Sequence, residues 1–372
     1  MKKVCILQNG LARGGTDTFV LNLCKGIAKN QFEITVVNSS SKPESLVLEP
    51  NVLATGAKIV HTSDLGKGLM SKLRHFVHLY KLLKRERFDV FHTNIDLFNG
   101  PNLFVAWLAG VPIRCCHSHN SMQPKELVEG STLSIRIYQR VMRWLCWYFS
   151  NRRIGCSEPA MDFLFAGRCW RQDHYPSVIH NGIDLNIYRR PIDVAKKKRE
   201  LGLTAKYHIV TVGRIIPQKN PLFIAQSFVE LCKTRPDCDL VWVGIGELEK
   251  DCRAILEQNG VANRVHFLGS RNDVAEILQC CDMFYLPSNF EGLGIVLIEA
   301  QASGLPCLVS DVVPIEANCG KCKFLSLQED VSLWVQTIND ILDKKIALTI
   351  DEQRINQFSI EYMVKQMKSV FV

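Results

Sequence analysis

The feature that most constrains this chain is a rhythm that runs through twice. Short β-rich runs of about 4–6 residues alternate with longer segments of helical period. In the first half the runs fall at residues 4–7, 33–38, 58–61, 89–93, 112–117, 153–156 and 177–180. In the second they fall at 208–212, 240–243, 265–268, 283–286 and 306–309, with helices expected to start near Pro221, Glu247, Asp273, Gly294 and Trp334. Strands apolar along their whole length bury both faces, which is the habit of a parallel sheet covered by helices on each side. The expected fold is therefore α/β, with two Rossmann-like, doubly wound parallel-sheet domains. Their ligands should lie in a deep cleft outside the carboxyl ends of the strands.

The 372 residues suit two domains at about 150 residues each. The first is expected over residues 1–185 and the second over 186–355. A charged run, Ala195-Lys196-Lys197-Lys198-Arg199-Glu200, follows the turn Asn181-Gly182 and marks the linker. Ile360, Met363, Val364, Met367 and Phe371 recur at helical spacing, so residues from about 356 to 372 should form a closing helix packed back on the first domain. No run of about 18 uncharged apolar residues exists, and no secretory leader follows Met1. A cytoplasmic protein is expected. The 15 cysteines are odd in number and several sit inside apolar runs, as reduced thiols would. Cys319-Gly-Lys-Cys322 lacks the second Cys or His pair of a zinc site.

Two segments carry chemistry. Residues 287–300, Pro-Ser-Asn-Phe-Glu-Gly-Leu-Gly-Ile-Val-Leu-Ile-Glu-Ala, follow a strand and open a helix after a glycine-rich turn. Free peptide N–H groups at such a helix start attract an anion. Glu291 and Glu299 set two carboxylates at different depths beside it, suited to accept hydrogen bonds from ribose and hexose hydroxyls. Residues 212–221 also follow a strand and place Arg214 and Lys219 around a proline-stiffened turn. Fixed cations there would stabilise the charge that develops on a departing nucleoside diphosphate.

These segments, with Val178-Ile179-His180-Asn181-Gly182-Ile183-Asp184, Val243-Gly244-Ile245-Gly246-Glu247 and residues 267–274, resemble the retaining GT-B glycosyltransferases of family 4. They occur in that family's order across residues 178–318. The first half is similar through Gly14-Gly15-Thr16-Asp17, Asp89-Val90-Phe91-His92-Thr93 and Cys116-His117-Ser118-His119-Asn120. The branch most resembled builds bacterial capsular polysaccharides and exopolysaccharides. The resemblance implies that Arg214 and Lys219 contact the donor diphosphate, that Glu299 binds the ribose, and that Glu291 with Gly292, Leu293 and Gly294 holds the transferred sugar. Gly15 would lie close to the phosphates. His119 matches the family's histidine near the donor sugar, with His117 as the alternative. Asp17 stands where the family often carries glutamate. The implied reaction moves a sugar from a nucleoside-diphosphate sugar, with retention, to a lipid-linked or polysaccharide acceptor, without metal or cofactor.

Two short motifs point elsewhere. Asp237-Cys238-Asp239 has the pattern by which some sugar transferases hold a divalent ion, but it precedes its strand, away from the carboxyl ends. Gly244-Ile245-Gly246 is a fragment of a dinucleotide fingerprint without its third glycine and in the wrong half, which disfavours an NAD enzyme.

The net charge of +8 is unevenly spread. Lys and Arg outnumber Asp and Glu 25 to 14 over residues 1–190, and are outnumbered 20 to 23 in the remainder. Two expected helices, at 67–88 and 131–153, carry much of the excess among aromatic and aliphatic residues. Arg136, Arg140 and Arg143 form one stripe. That chemistry suits an anionic membrane surface, and hence a peripheral location on the inner face of the plasma membrane. No nucleic-acid-binding signature accompanies it. Two other readings of the same residues are a sugar-nucleotide epimerase or hydrolase of the same fold, and a non-catalytic polyanion-binding module.

Overall fold

The computed structural model describes residues 1–12, 14–27, 29–122, 132–165 and 174–372. The chain divides into two compact units, Met1–Ile183 with Gln357–Val372, and Asp184–Asn356.

The first unit is built on six parallel strands: β1 (Lys2–Gln8), β2 (Phe32–Asn38), β3 (Lys58–His61), β4 (Val90–Thr93), β5 (Ile113–Ser118) and β6 (Arg152–Gly155). Their order across the sheet is β3-β2-β1-β4-β5-β6. Both faces are covered, and β1 shows why its apolar run is unbroken. Val4 and Ile6 join one core with Phe19, Leu23, Met367 and Phe371, while Cys5 and Leu7 join the other with Leu79, Leu83, Leu103 and Phe149. Successive side chains point to opposite faces of a strand, so each face needs its own apolar set.

The second unit repeats the plan with β7 (Tyr207–Val212), β8 (Cys238–Val243), β9 (Val265–Gly269), β10 (Met283–Leu286), β11 (Cys307–Ser310) and β12 (Cys322–Leu325), ordered β12-β11-β10-β7-β8-β9. Each unit has the strand order of a dinucleotide-binding sheet. Connections leave in opposite directions at β1/β4 in one and at β7/β10 in the other, and the crevice above such a switch point takes the ligand.

Two expectations fail locally. Residues 177–180 form no strand, only a single bridge from Val178 to Gly155, because the chain turns away at Asn181-Gly182. β12 escaped the sequence reading because Lys321 and Lys323 break its apolar pattern. It lies at the sheet edge, where Lys323 is exposed, as edge strands favour.

Gly182 has a structural task. A Cβ there would stand 2.8 Å from the Ser359 carbonyl oxygen and 2.9 Å from Ile360 Cα. Bare backbone lets the returning chain pass, Ile183 N–H donates to the Phe358 carbonyl at 2.8 Å, and the helix Ile360–Phe371 docks on the first unit. The charged run is ordered too. It forms the helix Val194–Glu200, and Lys197 Nζ reaches Asp273 Oδ2 at 2.6 Å and Glu276 Oε2 at 2.7 Å within the second unit. The 14 described cysteines are all free thiols. Among the described residues no helix is long and apolar enough to cross a membrane.

Candidate active site

In the second unit the loops leaving β7 and β10, the two central strands, are stapled together. Asn289 N–H donates to the Gln218 carbonyl at 2.8 Å, Asn289 Nδ2 to the Pro217 carbonyl at 2.7 Å, and Gln218 Nε2 to the Phe290 carbonyl at 3.3 Å. Asn220 takes a left-handed conformation (φ 53°), which asparagine tolerates, and Pro221 opens the next helix, Pro221–Cys232. That turn carries Lys219 toward the β10 loop. Lys219 Nζ lies 2.5 Å from Glu291 Oε1, and Ser288 Oγ donates to the same oxygen at 2.7 Å. Glu291 is 4% exposed, and a carboxylate so enclosed requires such partners. Ser288 is fixed in turn, its carbonyl accepting from Ser310 Oγ at 2.6 Å.

Arg214 is exposed; its carbonyl accepts from Ile216 N–H at 3.0 Å, and its guanidinium makes no hydrogen bond or ion pair with a described residue. Gly292, Leu293 and Gly294 are buried beneath the start of the helix Ile295–Ala302. Gly294, at φ 77°, supplies the left-handed residue that turns the chain into that helix. Glu299 lies half-buried on it, and burial pushes its carboxyl up to about 7, against the lowering pull of a Tyr188 hydrogen bond and the Lys219 charge. Tyr188 comes from the short helix Leu185–Arg189 and is itself buried. Sequence reading missed both Ser288 and Tyr188. The only signal for Tyr188 was its place one turn beyond Asp184, the residue that caps its helix.

The glycines at 244 and 246 are explained by backbone contact. A Cβ on Gly244 would sit 1.9 Å from the Gly213 carbonyl oxygen, and one on Gly246 2.2 Å from that of Ile215. Ile215 N–H donates to the Ile245 carbonyl at 3.0 Å and Leu248 N–H to that of Ile215 at 3.1 Å, so this loop buttresses the turn that carries Arg214. Asp237 and Asp239 lie at the amino end of β8, at the opposite end of the strands from the candidate site. Asp239 pairs there with His266 at 3.0 Å and with Arg264 at 3.5 Å.

Gly15 and His119 belong to the first unit, at its own switch point. Gly15 opens the helix Gly15–Gly26 beyond β1, and Asp17 Oδ2 accepts from the Gly14 N–H at 3.1 Å while Oδ1 accepts from Gln8 Nε2 at 2.7 Å. His119 follows β5. Its Nε2 pairs with Asn94 Oδ1 at 2.9 Å, and its peptide N–H donates to Asp96 Oδ1 at 2.9 Å. Asp96, at φ 44°, is a rare non-glycine in the left-handed region and also accepts from Asn120 Nδ2. His117 is fully enclosed and pairs with His92 at 3.1 Å, whereas His119 stays 6% exposed. Burial lowers all three histidines, His92 and His119 to about 3, so each is a neutral ring near pH 7.

Residues 13–187 match the family model described as Glycosyltransferase Family 4, and residues 193–358 the one described as Glycosyl transferases group 1. EpsF of Bacillus subtilis (strain 168), named as a glycosyltransferase, is 30% identical over 343 residues, covering 91% of this chain and 87% of its own. The UDP-Gal:alpha-D-GlcNAc-diphosphoundecaprenol alpha-1,3-galactosyltransferase of Escherichia coli is 28% identical over 387 residues, covering 98% and 94%. Among solved structures, Anabaena HepE in complex with UDP-glucose superposes with a TM-score of 0.81 at 19% identity over 99% of both chains, a likeness of fold.

Proposed function

We propose one reaction for this chain, which belongs to the GT-B glycosyltransferases of family 4 and is similar to enzymes of capsule and exopolysaccharide biosynthesis. It moves a hexose from a nucleoside-diphosphate sugar to a lipid-linked or polysaccharide acceptor, with retention, at the inner face of the plasma membrane and without metal. The observation that carries this reading is the enclosed Lys219–Glu291 pair on two loops stapled at the switch point of the second unit.

In this reading the exposed Arg214 and the ammonium of Lys219 receive the diphosphate, joined by the peptide N–H groups at the start of the helix Ile295–Ala302. Their charge stabilises the departing β-phosphate as the glycosidic bond lengthens. Glu299 accepts from the ribose hydroxyls, and Glu291 with the backbone of 292–294 orients the hexose. The acceptor hydroxyl attacks from the face the diphosphate leaves. Its proton passes to the leaving phosphate oxygen, so no side-chain base is required. With two cations and a helix start to balance the phosphate charge, a divalent ion is not needed.

The test is to incubate the purified protein with UDP-, GDP- and ADP-hexoses, first UDP-hexoses, plus a diphosphoprenyl saccharide, with and without EDTA. Donor-dependent elongation that persists in EDTA and keeps the donor's anomeric configuration is expected. Rapid consumption of donor without any acceptor would favour an epimerase or hydrolase instead.

A further inference from the structure

The helix Leu133–Phe149 carries two apolar lines. One, with Ile135, Cys146 and Phe149, is buried on the first unit. The other, Leu133, Ile137, Val141, Trp144 and Tyr148, recurs every three or four residues and faces outward, with Leu133 74% and Tyr148 64% exposed. The second line meets the neighbouring helix Asn99–Leu108 in a cluster of rings. Trp144 and Tyr148 stack at 5.3 Å between centroids, and Phe149 joins Tyr148 at 5.0 Å, Phe104 at 5.0 Å and Trp107 at 5.4 Å. Of these rings only Phe149 is buried. Soluble surfaces rarely leave so continuous an apolar strip uncovered.

Both helices that carry the strip are basic or neutral along their described residues. Arg136 and Arg140 are exposed along it, and neither helix contains an acidic residue. The adjoining helix Leu69–Glu86 adds exposed Arg74, Lys81 and Lys84.

We propose that this outer line and the Phe104–Trp107 cluster form an insertion surface for an anionic phospholipid bilayer. Aliphatic side chains and rings enter the boundary between headgroups and acyl chains, the Trp and Tyr polar tips stay in the wet layer, and Arg140 pairs with phosphates. Nucleic acid offers nothing to Leu133, Ile137 or Val141. A second copy docked face to face would oppose one basic stripe with another, whereas an anionic bilayer complements it. The proposal deepens the membrane location given above by assigning it to apolar insertion at named side chains.

The test measures sedimentation of the full chain with extruded vesicles of phosphatidylglycerol and phosphatidylethanolamine, in the absence of donor and acceptor. The chain should co-sediment. The double variant Ile137→Ser/Trp144→Ser should lower the bound fraction by roughly ten-fold, and Arg140→Glu by several-fold. Their melting temperatures should match wild type because the altered side chains are exposed. Wild-type binding by the double variant would overturn the assignment. So would a wild-type chain that ignores vesicles and instead dimerises through the same residues. Neither failure touches the reaction, since nucleotide binding in the second unit is read separately.

Discussion

Lys219 and Glu291, 72 positions apart in the chain, meet at 2.5 Å where the loops of the two central strands of the second unit are joined. The pair makes Lys219 and Arg214 unequal. Lys219→Ala takes the ammonium from an enclosed carboxylate that still accepts from Ser288, whereas Arg214→Ala removes an exposed cation whose side chain has no described partner. Both should lower sugar transfer about 100-fold or more, the scale of losing one preorganised charge contact. Only Lys219→Ala should also destabilise the fold, by roughly 3–5 kcal/mol. Steady-state kinetics beside denaturant melts of the two variants will separate them, and equal stability would contradict the pairing.

Glu299 gives a pH signature. Its carboxyl, ordinarily near 4.5, is raised to about 7, first by burial. An acid whose folded pKa exceeds its unfolded value resists ionisation in the folded state. Wild type should therefore lose stability relative to Glu299→Gln as pH climbs from about 4.5 through 7, by roughly 1–3 kcal/mol. Nucleotide affinity should move the other way, rising to a plateau above pH 7, because the ionised carboxylate is the better acceptor for ribose hydroxyls. Tyr188→Phe removes a bond that lowers this pKa, so the midpoint should shift upward. Isothermal titration from pH 5.5 to 8.5 reads all three proteins, and an unchanged midpoint in Tyr188→Phe would count against the contact.

The buried histidines act at the acid side. His92, His117 and His119 are all held below 6.5 in the folded chain, so their stabilising effect is complete above pH 6.5 and is lost as pH falls toward their folded values, about 3 for His92 and His119. Melting temperature should drop steadily between pH 6.5 and 4.5. His117→Asn, which removes one of these proton sinks from the unfolded state, should flatten that slope. A pH-independent melting temperature over the range would show that the rings are not held neutral.

The loop glycines are a matter of space. Gly244→Ala must push a methyl group into the Gly213 carbonyl, so it should cost several kcal/mol or abolish folding. Gly202→Ala, where nothing lies within 4 Å, should cost only the strain of its positive φ, about 1–2 kcal/mol. Chemical denaturation of the pair checks this directly.

What could be read in the sequence follows from what is local. Runs such as residues 283–286 are buried on both faces, so hydrophobicity alone marks them, and the turns after them carry glycines and charges at short spacing. Lys323 hid β12, because an edge strand satisfies solvent on one side and loses the apolar pattern. Tyr188 was invisible for a different reason. Its partner lies 111 positions away, and only the packing of two helices brings phenol and carboxyl together. Likewise Gly244-Ile245-Gly246 reads as a nucleotide fingerprint until the backbone of 213–215 is seen pressed against it.

The central claim is that a diphosphate is held in the second unit by Arg214, Lys219 and the start of the helix Ile295–Ala302. Calorimetric titration of the purified protein with UDP-hexoses, and then GDP- and ADP-hexoses, tests it most directly. Saturable binding of one of them should be weakened at least ten-fold in Arg214→Ala. Undiminished binding by Arg214→Ala, or no heat with any of the sugar nucleotides, would contradict the account.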